Sequence, residues 1–242
     1  MLSRCELSVV MPAYREADSL RLLLPRLTSA LNALSADYEI IVADSMEPLD
    51  ETAEVCAAAG VVHLPRTGGN TYGDAVRSGI ARSQGYSVLL MDADGSHNPA
   101  EIQKLWEKRQ SFDIVIGSRY VKGGNTENPW ILIAMSRVLN LAYQHAFQLP
   151  VADVSNSFRL YRGKQLRSLH LNSNNFDIVE EILIRLVSGV ANASVVEIPV
   201  TFEQRKAGES KRNLPAFMLS YVSSMQKMRR FQAEELAAVK SR

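Results

Sequence analysis

Two aspartates one residue apart, Asp92 and Asp94, follow directly on the apolar run Val88–Met91 in the stretch VLLMDADGSHNP. Carboxylates at the end of a buried strand are costly unless something compensates their charge. At D-x-D spacing both can reach one hard cation. Mg2+ and Mn2+ prefer carboxylate oxygens and keep coordination sites for water and phosphate. An aspartate that caps the following helix accounts for one of the pair and leaves the other without a role. His97, beside that helix start, fits capping or packing better than ligation. Asp44 ends a second apolar run, YEIIVA, and can accept hydrogen bonds from a base or ribose as readily as it can form a turn. Basic residues gather after residue 117: Arg119 in IGSRY, Arg159 and Arg162 in SFRLYR, and Arg205, Lys206, Lys211 and Arg212 in QRKAGESKR. Arginines at loop positions of a nearly neutral chain suit phosphate binding.

These residues need elements that bring them together. Apolar runs predict strands over Leu7–Met11, Tyr38–Ala43, Val61–Leu64, Tyr86–Met91 and Phe112–Ile116. Amphipathic runs between them predict helices over Ala17–Leu34, Asp50–Ala59, Tyr72–Gln84 and Pro99–Gln110, the last with Asn98 as its cap. Gly60 and Gly85 punctuate two of them. Strands spaced by helices make a mostly parallel, doubly covered α/β sheet, and ligands of such sheets bind beyond the carboxyl ends of the strands. Asp44, Asp92 and Asp94 all stand at such ends. The second half is less regular, with helices expected over Asn128–Leu149, Phe176–Ser188 and Pro215–Val239 and a strand over Ser194–Phe202. Lys122–Asn128 and Gln204–Asn213 read as mobile loops.

Composition narrows the function classes. The 242 residues carry 27 basic and 26 acidic side chains, a formal net charge of +1, which argues against a partner held by bulk electrostatics such as nucleic acid. Cys5 and Cys56 lie far apart and outside any C-x-x-C spacing, as suits a reducing cytoplasm without a zinc site or a disulfide framework. No apolar run approaches the ~18 residues of a membrane span. The sequence leaves open a peripheral contact with the cytoplasmic face of a membrane, and Pro215–Phe231, which mixes Met, Leu, Val and Phe with Lys227, Arg229 and Arg230, has the character of an interfacial helix. Neither G-x-G-x-x-G after the first strand nor G-x-x-x-x-G-K-[ST] occurs, which excludes dehydrogenase and P-loop readings.

In order along the chain, VVMPAYREADSL, YEIIVADS, the GDA around Gly73, LLMDADGSHNP, IGSRYVKGG, SNSFRLYR and RKAGESK resemble family-2 inverting glycosyltransferases of the GT-A fold. The set is most similar to the branch typified by dolichol-phosphate mannose synthase and covers roughly residues 6–212. That resemblance implies a GT-A domain over residues 1–213, followed by an amphipathic helix over 214–242 with no transmembrane segment. It implies a donor such as GDP-mannose or a UDP-sugar, and a polyprenyl phosphate acceptor, as in cell-envelope glycan assembly. Pro12, Tyr14, Glu16 and Asp44 would line the nucleotide-sugar pocket, and Asp92 and Asp94 would hold Mg2+ or Mn2+ on the diphosphate. Arg119, Ser136, Arg205 and Ser210, with Lys211, would lie near the phosphates; Asp94, Arg119 and Arg205 would carry the catalysis.

The sequence departs from that pattern in places. Asp44-Ser45-Met46-Glu47 replaces the usual D-D-G-S, with one extra residue before Asp50. Ser96 stands where related synthases often have Gln, and WILIAM lacks the usual basic residue before Ser136. A phosphate acceptor is largely dianionic at neutral pH, its second pKa being about 6, so it needs no strong base, and FRLYR stands where hydroxyl-modifying members carry a catalytic carboxylate. The competing readings are transfer to a soluble or saccharide acceptor and a non-catalytic nucleotide-sugar binder.

Overall fold

The computed structural model describes residues 5–187, 192–204 and 224–232. Its frame is a seven-stranded sheet in the order β3-β2-β1-β4-β7-β5-β8. The strands are β1 (Leu7–Pro12), β2 (Tyr38–Asp44), β3 (Val62–Pro65), β4 (Ser87–Leu90), β5 (Ile114–Ser118), β7 (Arg159–Arg162) and β8 (Val195–Pro199). The helices are α1 (Ala17–Asn32), α2 (Thr52–Ala59), α3 (Tyr72–Arg82), α4 (Ile102–Trp106), α5 (Trp130–Phe147), α6 (Gly163–Arg167) and α7 (Ile178–Val187). A second, two-stranded sheet pairs β6 (Asn125–Thr126) with β9 (Thr201–Phe202).

β1 lies between β2 and β4 and is parallel to both. The chain runs outward from β1 to β2 and β3, then returns to lay β4 on the other side. That reversal makes a topological switch point, and the carboxyl ends of β1 and β4 open into the crevice where ligands of such sheets sit. Full burial of β1 and β4 follows from their apolar runs, since a central parallel strand is covered on both faces. One core layer packs α1, with Leu20, Leu23, Leu24, Leu27 and Leu31, against Leu7, Val9 and Met11. The other packs α7, with Ile178, Val179, Ile182 and Leu183, against Val88, Leu90, Ile114 and Ile116.

The structure departs from the sequence expectations in the second half. SFRLYR contains an unforeseen strand, β7, inserted antiparallel between β4 and β5. Two arginines in a four-residue strand hide its apolar period. The strand expected over Ser194–Phe202 is divided at Val200 into β8 and β9. The loop expected over Lys122–Asn128 carries β6, which β9 pairs in parallel. The helix expected over Pro99–Gln110 is a 3-10 turn (Pro99–Glu101) followed by α4, with Asn98 Oδ1 accepting from the Ala100 amide as the expected cap. α3 ends at Arg82 rather than at Gly85. Residues 224–232 are helical, and Met228 is buried in the α7 core layer, so the described part of the last helix packs on the domain. Residues 205–223 and 233–242, with the rest of that helix, lie outside the described residues.

Candidate active site

The loop after β4 carries the paired aspartates. Asp94 Oδ1 accepts from the Ser96 amide at 3.0 Å and from its hydroxyl at 2.6 Å. Gly95 takes φ 79°, a conformation open to glycine at little cost, and this closes the tight turn. Asp92 Oδ1 accepts from the Tyr72 hydroxyl at 3.1 Å. Behind them His97 is 1% exposed and stacked on Phe158. The Asp92 amide donates to His97 Nδ1 at 3.1 Å, which places the ring proton on Nε2. Nε2 in turn reaches Asn156 Oδ1 at 3.0 Å, and Asn156 Nδ2 donates to the Gly117 carbonyl at 2.6 Å. His97 is therefore a buried brace for the aspartate loop, in line with its packing role.

Both aspartate side chains are half-buried at the crevice, and both present hard oxygen donors. This donor set fits Mg2+ or Mn2+, with water and phosphate oxygens completing the shell. Among the described residues no group of three or more His, Cys, Asp or Glu stands together that could hold a metal.

The loops after β1, β2 and β3 lie on one side of the aspartate pair. Pro12 ends β1, and Tyr14 is half exposed beyond it. Arg15 adopts φ 56°, a strained position of the kind that collects at ligand sites. Glu16 Oε2 accepts from the Ser19 hydroxyl at 2.8 Å at the start of α1. Asp44 is buried, its Oδ2 lying 3.2 Å from His63 Nε2 and its Oδ1 3.4 Å from the Ser45 hydroxyl. Arg66, also buried, organises this side by donating to the carbonyls of Asp44, Ala13, Asn70 and Thr71. Burial draws its guanidinium below the usual range, against the pull of Asp44 and Asp74. The extra residue of the Asp44–Glu47 segment is absorbed in a loop in which the Met46 amide donates to Asn70 Oδ1 at 2.9 Å. Asp50 then accepts from the amides of Ala17 and Thr52, joining the starts of α1 and α2.

On the other flank Arg119 and Ser136 come together. The Arg119 guanidinium binds Asp153 through Nε at 2.8 Å and through a terminal nitrogen at 2.7 Å, and it reaches the Ser155 hydroxyl at 2.9 Å. Ser155 lies 3.4 Å from the Ser136 hydroxyl of α5. Arg119 is thus anchored, with its charge balanced by a fully buried carboxylate. The other arginines of the basic cluster correct the expectation of a shared phosphate role. Arg159 is buried in the core. Arg162 pairs with Asp113 at 2.5 Å, beside the amino end of β4, because β7 runs antiparallel and carries it away from the crevice. Arg205, Ser210 and Lys211 lie outside the described residues. The chain leads to them past the aspartate turn, where the Glu203 amide donates to the Ser96 carbonyl at 2.9 Å.

Sequence reasoning missed Tyr72, Arg66, Asp153 and Asn156. Tyr72 precedes the GDA stretch and Asn156 lies within SNSFRLYR, so the signal was adjacency to a motif. Asp153 and Arg66 carry no local pattern; their roles depend on long-range partners.

A mostly parallel sheet with a paired carboxylate at its switch point defines a GT-A glycosyltransferase fold. The chain belongs to glycosyl transferase family 2, whose profile matches residues 8–169. It is 35% identical over 215 residues to the dolichol-phosphate mannosyltransferase of Pyrococcus furiosus, covering 85% of this chain but only 59% of that protein. It is 33% identical to the polyprenol monophosphomannose synthase of Mycolicibacterium smegmatis, over 84% of this chain and 79% of the relative. It is also 33% identical to the undecaprenyl-phosphate mannosyltransferase of Micrococcus luteus, over 84% and 85%. Glucosyl-3-phosphoglycerate synthase from Mycobacterium tuberculosis, solved with Mn2+, UDP and glucosyl-3-phosphoglycerate, shares the fold with a TM-score of 0.72 at 17% identity, over 93% of this chain and 80% of that one.

Proposed function

We propose that this protein transfers a sugar, with mannose the first candidate, from a nucleoside diphosphate to a polyprenyl phosphate with inversion. The observation that carries this reading is the pair Asp92 and Asp94 at the switch point, flanked by the loops after β1, β2 and β3 on one side and by Arg119 and Ser136 on the other. The names of the relatives support the choice of prenyl phosphate and of mannose.

In this reading Pro12, Tyr14, Glu16 and Asp44 line the nucleoside end. Asp92 and Asp94 would hold a divalent ion, which when bound neutralises the diphosphate and helps it leave. The acceptor phosphate oxygen attacks the anomeric carbon from the face opposite the diphosphate. A new carbon–oxygen bond forms as the old one breaks, and the nucleoside diphosphate leaves with the bonding pair. The acceptor is already an anion, so the residues around it need to offset charge rather than remove a proton. Arg119 and Ser136 would line the acceptor flank as hydrogen-bond donors, since Asp153 already balances the Arg119 charge. Arg205, Ser210 and Lys211 would close over the phosphates from the segment that follows Gln204. Losing a donor of the Arg205 kind costs about 2–4 kcal/mol in kcat/KM, so Arg205→Ala is expected to fall by that amount, and steady-state kinetics checks it.

No described helix is long and apolar enough to cross a membrane. α5 nonetheless turns an apolar face outward, with Trp130, Ile131, Val138 and Leu141 exposed at 79%, 50%, 61% and 63%. No acidic residue occurs in α5, and Ser136 lies on it, one residue before the exposed Arg137. This face supports peripheral attachment with the acceptor drawn from a lipid layer. Thermal-shift titration with GDP- and UDP-sugars, with and without Mn2+, tests the donor half, because a ligand of the native state raises Tm. A Tm rise with one nucleotide class that requires Mn2+ is expected. No rise with any nucleotide sugar contradicts the reading.

A further inference from the structure

Arg159 is fully buried, yet none of its nitrogens lies within ion-pair distance of a carboxylate among the described residues. Its two terminal nitrogens donate to main-chain carbonyls instead, while Nε has no hydrogen-bond partner among the described residues. Nη1 donates to the Val179 carbonyl of α7 at 3.1 Å, and Nη2 donates to the carbonyls of Asp153 at 3.3 Å and Val154 at 2.5 Å. Glu180, in the same interior, has both oxygens without a hydrogen-bond partner among the described residues. A buried guanidinium is expensive, and one that leaves a nearby carboxyl unbound to grip the backbone is spent on geometry rather than on charge balance.

The segment it grips serves both flanks of the site. Asp153 fixes Arg119, and Ser155 joins Arg119 to Ser136. Asn156 holds His97, which holds the Asp92 amide. From the far side Glu197 of β8 accepts from the amides of Ala152 and Asp153 at 2.6 and 2.9 Å. Residues 152–156 are thus one short span between the cation-binding aspartates and the acceptor flank, pinned by Glu197 at one end and by Arg159 beneath.

We propose that Arg159 is a positioning residue for the transfer, setting residues 153–156 so that the aspartate loop and the Arg119–Ser136 flank keep their spacing. This inference rests on the proposed function, since it assigns those two flanks to one reaction. Partners behind a metal site are worth about 10–100-fold in metal affinity. A misplacement of about 1 Å can cost about 10²-fold in rate.

The test compares wild type, Arg159→Lys and Arg159→Met. Mn2+ binding is measured by calorimetry with saturating GDP or UDP, transfer by steady-state kinetics, and folding by circular dichroism. Lysine keeps the charge but cannot span three carbonyls in a fork. In a folded Arg159→Lys, Mn2+ is expected to bind about 10-fold more weakly, with kcat at saturating Mn2+ and donor reduced about 10²-fold. Arg159→Met is expected to be worse in both readouts. A folded Arg159→Lys with wild-type Mn2+ affinity and kcat overturns the proposal, and so does an Arg159→Lys that unfolds below assay temperature, which would assign the residue to the fold alone. A wild-type enzyme that transfers no sugar overturns the proposed function instead, so the two failures are told apart.

Discussion

Asp92 and Asp94 are fixed in different ways, and each difference has a consequence. Asp94 is oriented by two bonds from Ser96, and Asp92 by Tyr72 and by the brace on its amide. Replacing Asp94 with Asn keeps the turn, because an amide oxygen still accepts from Ser96, but it removes the charge. Asp94→Asn is expected to lower kcat/KM by about 10²-fold or more while Tm stays near wild type, as initial rates and a thermal melt would show. Glu180 allows a test of a different kind. Burial lifts its carboxyl to about 8, against the pull of Arg159 and aided by Asp177 and Asp153. An unfolded glutamate gives up its proton near 4.5, so the folded state holds a proton that the unfolded state has lost between those values. Stability from this group is therefore present at low pH and lost as pH rises towards 8. Urea unfolding at pH 5, 7 and 9 should show Glu180→Gln gaining on wild type as pH rises; a difference that does not change with pH contradicts this. At this scale the sequence marked the turn from Asp92 to His97, where Ser96 holds Asp94 from two residues away, but not the distant partners Tyr72 and Asn156. It was silent on Asp153 and Arg66, whose partners lie 34 residues away at Arg119 and 53 residues away at Ala13.

Among the elements, α3 carries the tightest local design. Its Thr71–Asp74 capping box is complete, and Arg77 bridges Asp74 to the Ser173 carbonyl. Gly73 lies against residues 173–174, its amide donating to the Asn174 carbonyl at 2.7 Å, and a Cβ there would stand 2.8 Å from Asn174 Cα and overlap the Ser173 carbonyl oxygen. Since α3 also supplies Tyr72 to Asp92, Gly73→Ala should disturb stability and the aspartate loop together. A loss of about 1–3 kcal/mol is expected from denaturant unfolding, with a weaker response to Mn2+. Unchanged stability would show that the contact relaxes freely. The first half of the fold was legible because each strand is an apolar run and each helix an amphipathic one. β7 was not, because Arg159 and Arg162 interrupt its period and its place between β4 and β5 is a tertiary choice. The divided β8 and β9 were read as one strand because the apolar run continues through Val200, although Pro199 marks the point where the chain passes from one sheet to the other.

For the molecule as a whole, the described residues present the aspartate pair at the sheet's switch point and an apolar face on α5. The last helix was expected to provide the membrane contact, but its described part turns Met225 and Met228 inward, with Lys227 donating to the Asn172 carbonyl and Ser224 to Asp177. We therefore propose α5, rather than the last helix, as the attachment surface. Flotation with anionic vesicles at low salt is expected to recover the protein, and the pair Val138→Asp and Leu141→Asp to weaken recovery. Equal recovery of that variant would remove α5 from the interface.

The most direct measurement incubates the purified protein with Mn2+, a polyprenyl phosphate and GDP-mannose or a UDP-sugar labelled in the sugar, and follows the label. The expected result is label in an organic-extractable sugar phosphate lipid of inverted anomeric configuration, with one nucleoside diphosphate released per transfer and the product lost in Asp94→Asn. Label that stays on the nucleotide, or is released only as free sugar, with every donor and prenyl phosphate tried would contradict a prenyl phosphate glycosyltransferase.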